Sequence, residues 1–168
     1  MKALLVSIKP KYVTDILNRV KTIEIRKSAP KCEQPIEVFI YCSKKPKVNE
    51  NAEMNGNVVG KFILRSVEEI YVLYSQDGFC YKTETMSNTE VIEKGCVDII
   101  KLDHYLRRGR GYAWHITDLE IFDKPRPLAY FSKPCQVVDG LDEDGNKKKF
   151  TVLKPVKKAP MSWFYIEA

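Results

Sequence analysis

The sequence predicts an α+β fold, rich in strands and carrying two or three short helices. Apolar and polar residues alternate with period two in several stretches, most clearly from Tyr112 to Phe122. Helical spacing is confined to short segments with capping residues at their ends. The apolar share of 44% against 30% charged residues is that of a folded domain, and 168 residues can bury one core with at most an appendage.

The first strand is the apolar run Ala3 to Val6, short enough to be a buried strand. Pro10 suits the first turn of a helix, where a missing N–H costs little, and Val13, Ile16, Leu17 and Val20 follow at helical spacing. After Lys21 the period falls to two. Ile23 and Ile25 point one way, Thr22, Glu24 and Arg26 the other. Ile36 to Tyr41 is the next strand. The basic loop Lys44-Lys45-Pro46-Lys47 follows, then a polar excursion from Val48 to Asn57. Val58 to Tyr74 is one long strand or two, with Gly60 marking a bulge. Phe79 to Thr85 adds another.

Ser87-Asn88 caps a two-turn helix that stops at Gly95, and a further helix is expected over Val97 to Arg108. Arg107, Arg108 and Arg110 cluster at its end, where cations complement the helix dipole or could clamp a phosphate. Beyond Pro125, Leu128 to Phe131 is a short turn. Val137-Val138 and Phe150 to Leu153 flank an acidic hairpin turn, and Ser162 to Ile166 is a final strand. Residues 126–168 are expected to pack back on a domain formed by residues 1–125, being too few to hold a core alone.

The segment Ser-Ile-Lys-Pro-Lys-Tyr-Val-Thr-Asp-Ile-Leu, followed by Lys-Thr-Ile-Glu-Ile-Arg-Lys, resembles the opening motif of the ASCH domain. Tyr-Ala-Trp-His-Ile at 112 to 116 is similar to that family's closing strand. The resemblance covers roughly residues 1–125. It implies a PUA-like mixed β-barrel with flanking short helices, here followed by a C-terminal β extension. The family usually closes its first helix with a glycine. Arg19-Val20 stands there in this chain, so Asn18 is expected to take the left-handed position.

Lys21, Glu24 and Arg26 form the first site candidate: three ionisable groups on a strand otherwise built for a core. Net charge runs +7 over residues 1–49, −5 over 50–100 and +4 over 101–168. A basic face made from the two ends would attract phosphates. Lysine and arginine would position the phosphates, and Glu24 could accept from a base amino group. Nearby aromatics would stack an unpaired base, which favours RNA, single strands or a flipped modified nucleotide. The nucleic-acid-binding set is Lys9, Lys21, Glu24 and Arg26, with Lys27, Tyr41, Ser43, Arg110, Tyr112 and Trp114 at the rim. The trio also fits a buried network tying helix to sheet, since an unpaired buried carboxylate is costly. Trp114 serves either as barrel filling or as a stacking platform, and His115 reads as a satisfied structural histidine.

Two enzyme alternatives come with the resemblance. Some small bacterial ASCH proteins hydrolyse the acyl amide of N4-acetylcytidine with a lysine, a threonine nucleophile and a glutamate. Lys21 matches the lysine, but Glu24 occupies the threonine position, and a carboxylate cannot act as a hydroxyl nucleophile. Glu68, Glu69, Glu90 and Glu93 are the candidates for the partner glutamate. A ribonuclease would use Glu24 as base with Lys21 or Arg26 stabilising charge, so Lys21 and Glu24 are the catalytic candidates if there is catalysis. A protein-interaction module is the third class.

Five scattered cysteines without a C-x-x-C pair argue against disulfides and for a reducing cytoplasm. They also argue, with only two histidines, against a metal site. No cofactor motif stands out. No apolar run approaches the ~20 residues of a membrane span, and the N-terminus lacks a secretory h-region.

Overall fold

The computed structural model describes residues 2–44, 53–76 and 78–168. Among these, three α-helices flank a nine-stranded mixed sheet, so the fold is α+β and sheet-dominated. The chain runs β1 (Lys2–Ile8), α1 (Pro10–Leu17), β2 (Ile23–Arg26), β3 (Ile36–Cys42), β4 (Asn57–Ser75), β5 (Gly78–Lys82), α2 (Asn88–Gly95) and α3 (Ile99–Leu106). It continues through β6 (Gly111–Pro127), a 3-10 turn (Leu128–Tyr130), β7 (Ser132–Leu141), β8 (Lys147–Pro155) and β9 (Trp163–Glu167). Strand order is β2-β6-β4-β3-β1-β9-β7-β8, and β5 pairs β4.

β1 is apolar because it is central, parallel to β3 on one side and antiparallel to β9 on the other. Both of its faces are covered, so its run of buried residues is nearly continuous. Leu4, Val6, Ile8, Val38, Ile40, Phe62, Leu64 and Trp114 pack on one face with Val13 and Ile16 of α1. Ala3, Leu5, Phe39, Tyr41, Phe122, Phe131 and Val156 make a second core on the other. A third core joins Ile23 and Ile25 of β2 to Val91 of α2 and to Leu102 and Leu106 of α3.

β4 is one strand of 19 residues, and its register against β6 shifts between Val58 and Gly60. There the backbones approach so closely that a Cβ on Gly60 would stand 2.4 Å from the Glu120 carbonyl oxygen. The bulge expected at Gly60 is present. The ladder does not pair β2 with β1, but Arg26 Nη2 of β2 donates to the Ser7 carbonyl of β1 at 2.6 Å across the curled sheet.

Several boundaries differ from expectation. The third helix is Ile99–Leu106, four residues shorter than the expected 97–108. Asp98 caps its start, and Arg107 and Arg108 lie beyond its end at φ 54° and 58°. Asn18 has φ −82°, and the left-handed residue after α1 is Arg19 at φ 60°. The second helix matches its reading. Ser87 Oγ accepts from the Glu90 amide and the Glu90 carboxylate accepts from the Ser87 amide, a full capping box. β6 continues through position 126, and β9 sits beside β1, so residues 126–168 share the main sheet. Within the expected basic loop only Lys44 is among the described residues; Lys45, Pro46 and Lys47 lie outside them, as does most of the excursion that follows.

Candidate functional site

Alternation along β2 sends Ile23 and Ile25 toward α2 and α3, and Glu24 and Arg26 to the opposite face. Lys21, just before the strand, turns onto the same side as Glu24. All three charged residues are buried, at 4%, 6% and 7% exposure. Glu24 bridges the two cations: its Oε1 lies 3.0 Å from Arg26 Nη2 and its Oε2 3.4 Å from Lys21 Nζ. Lys21 also donates to the Gly95 carbonyl at 2.6 Å, at the end of α2. The trio thus ties β2 to β1 through Arg26 and to α2 through Lys21. The structural network expected for these residues exists.

The β2–β6 register sets Glu24 opposite Trp114 and Arg26 opposite Tyr112. Cross-strand partners share a face, so two aromatics stand beside the carboxylate and the guanidinium. Trp114 is wholly buried and packs edge-on against Trp163 at 5.5 Å, which in turn meets Tyr165 at 5.8 Å. Tyr12 of α1 lies under Lys21, with the ammonium 5.1 Å from its ring. Burial pushes the Tyr12 phenol above its ordinary pKa, Lys101 opposing and Glu24 reinforcing the shift. Tyr105 of α3 sits beside Arg26. Burial raises its phenol, and the Arg26 guanidinium acts the other way. Lys27 lies 5.0 Å from the Tyr105 ring.

Among the described residues four buried side-chain atoms have no hydrogen-bond partner: Glu24 Oε2, Arg26 Nε and Trp114 Nε1 together at the β2–β6 pair, and Tyr165 Oη at the far end of the aromatic row. Glu24 Oε2 keeps its ion-pair contact with Lys21 but not the geometry of a hydrogen bond. Upward of nine in ten buried polar groups in folded proteins are hydrogen-bonded. One acceptor and two donors left over together are a concentrated exception.

Other candidates are placed elsewhere. Tyr41 belongs to the core on the far face of the sheet and lines a cavity of about 610 Å³ with Lys44, Leu128, Val156, Lys157 and Lys158. Ser43 is half-buried and its amide donates to the Ile8 carbonyl. Lys9 is exposed at the N-terminal cap of α1. Arg110 pairs with Glu69 at 3.0 Å and borders a second cavity, of about 510 Å³, with Val67, Glu68, Glu69, Tyr71 and Glu84. His115 Nε2 lies 2.6 Å from Glu68 Oε1, the satisfied histidine expected. The other Glu68 oxygen accepts from Thr83 and Thr85.

Of the glutamates considered as a catalytic partner, Glu68, Glu69 and Glu90 are each bonded outside the trio, Glu90 in the α2 cap. Sequence reasoning missed Tyr12, Tyr105, Trp163 and Tyr165. Tyr12 was available inside the opening motif, on the face shared with Ile16, but the other three come from segments distant in sequence.

Fold and site together define a strand-rich α+β domain with a charged, aromatic-lined centre beneath its helices. No protein-family model matches the chain, and no curated protein matches it. Solved structures share its fold. The ASCH protein of Zymomonas mobilis superposes with a TM-score of 0.54 at 16% identity, covering 75% of this chain and 73% of that one. A tyrosine-to-phenylalanine variant of that protein gives 0.52 at 15% identity, over 76% and 77%. A serine-to-alanine variant gives 0.52 at 15%, over 75% and 74%. The chain has the fold of the ASCH domain.

Proposed function

We propose that this protein is a nucleic-acid-binding module that takes an unpaired or modified base, from RNA or another single strand, against the Glu24–Trp114 face. The observation that carries this reading is the group of three unpartnered polar atoms, Glu24 Oε2, Arg26 Nε and Trp114 Nε1. These atoms are closed to solvent as the chain stands, so the reading requires the face to open; a planar ligand then offering a donor to the carboxylate and acceptors to the two N–H groups would satisfy all three. A nucleobase edge has that mixture of groups. Tyr12, Tyr112 and Tyr105 supply neighbouring aromatic surface, while Lys27 and Lys9 supply exposed cations for the strand's phosphates. In this reading the curled sheet is a barrel closed by side chains between β2 and β1, where Arg26 meets Ser7. Residues 126–168 are its extension. No helix among the described residues is long and apolar enough to cross a membrane.

The test is fluorescence anisotropy of labelled single-stranded RNA, single-stranded DNA and duplex at two salt concentrations. Salt-sensitive binding of the single strands is expected, with affinity lost in Lys21→Ala and lowered in Trp114→Phe while both remain folded. Failure of the parent protein to bind any of the three at low salt would rule the proposal out.

A further inference from the structure

The turn after α3 presents two arginines that no other described residue engages. Arg107 and Arg108 are exposed, and among the described residues neither guanidinium has an ion-pair or hydrogen-bond partner. Arg110, three residues on from Arg107, is by contrast engaged with Glu69. Both free arginines have left-handed backbone, φ 54° and 58°. Side chains with a Cβ are disfavoured there, and glycine or asparagine is the usual choice after a helix.

The backbone of this turn is fixed independently of the two side chains. The Arg107 amide donates to the Asp103 carbonyl at 2.6 Å and the Gly109 amide to the Leu106 carbonyl at 3.0 Å. The fully buried Tyr81 donates its hydroxyl to Asp103 Oδ1 at 2.8 Å and so anchors the last turn of α3. Complementing the helix dipole does not require arginine at these two positions. A cation one turn earlier, on helical backbone, would do the same without the conformational cost. Two guanidinium groups without a partner among the described residues, on a turn whose backbone is left-handed and hydrogen-bonded, are free to take a contact from outside the chain. Tyr105, one turn back from Arg108, meets Arg26 and the Lys27 ammonium, so the turn borders the proposed base site.

We infer that Arg107 and Arg108 contact the phosphates of the bound strand, holding it while a base is presented to the Glu24–Trp114 face. This rests on the nucleic-acid reading above. The guanidinium fork suits phosphate oxygens, and a fixed turn loses little freedom on binding.

Two double variants test it, Arg107→Gly with Arg108→Gly and Arg107→Gln with Arg108→Gln, in salt-titrated anisotropy with single-stranded RNA and in thermal melts. Losing two phosphate contacts should reduce the slope of log K against log salt by roughly 1.4 in both variants. The glycine pair should melt above the glutamine pair, since only glycine relieves the backbone. If the parent binds and both variants keep its slope, the inference fails and the base-site reading stands. If the parent does not bind, both fall. A glycine pair melting below the glutamine pair would show that the left-handed backbone is not strained, and would remove the trade-off on which the inference rests. If the glycine pair does not fold at all, the slope of the glutamine pair decides.

Discussion

Removing the charge of Glu24 should cost this protein more than removing the charge of Lys21, although both belong to one buried network. At an effective dielectric of about 20, attraction across the observed 3.0 and 3.4 Å is roughly 5 kcal/mol per pair, much of it offset by desolvation. As built, two cations share one anion. Lys21→Met leaves the Glu24–Arg26 pair intact, and the methionine keeps the aliphatic packing over Tyr12. It loses the bond to the Gly95 carbonyl, at about 1–3 kcal/mol. Glu24→Gln leaves two buried cations without a counter-charge, at about 3–5 kcal/mol. For a chain of this size that corresponds to a fall in Tm of roughly 6–20 °C. Urea unfolding of both single variants and of the double variant measures the order. The double should cost less than the sum, because Lys21 is no longer present to be stranded. Equal costs, or a more costly Lys21→Met, would refute the reasoning, showing that water screens the trio and that the Gly95 bond is its main contribution.

Glu68 carries a pH prediction. Burial acts to raise its pKa, but hydrogen bonds from Thr83, Thr85 and His115 outweigh that and hold it below the ordinary value of 4.5. Its contribution is therefore complete above about pH 4.5 and is lost as pH falls through the lower folded value. Comparing urea midpoints at pH 7 and pH 3, Glu68→Gln should show a smaller drop than the parent; an unchanged drop would contradict the assignment. At Gly60, an added methyl meets the Glu120 carbonyl at 2.4 Å, so Gly60→Ala should destabilise by about 1–3 kcal/mol as the β4–β6 backbones move apart. A melt matching the parent's would show that the close approach is soft.

Much of the local structure was legible in the sequence. The capping residue Ser87 with Glu90 and the stop at Gly95 delimit α2, and Pro10 opens α1. Period two in Thr22 to Arg26 places Glu24 and Arg26 on the same face, with Lys21 nearby. These features depend on neighbours a few residues apart, and a short window holds all of them. The end of α3 was misjudged because Arg107 and Arg108 are ordinary helix formers. After Leu106 the backbone turns left-handed at Arg107 and Arg108, and Tyr81, 22 residues before Asp103, holds that residue's carboxylate at the last turn, a contact that no local window contains.

The sequence by itself determined that Lys21, Glu24 and Arg26 would be neighbours at the edge of a core. Burial of a carboxylate then required a cation beside it. Only the tertiary structure decided what else they meet. The β2–β6 register puts Trp114 opposite Glu24, the curl of the sheet brings Ser7 to Arg26, and the packing of α2 hands the Gly95 carbonyl to Lys21. It also separated Tyr41 from the trio, since it packs in the core on the other side of the sheet. Side-chain period is a property of the backbone and repeats every two residues. Register and packing are set by contacts between segments tens of residues apart, and no local pattern contains them.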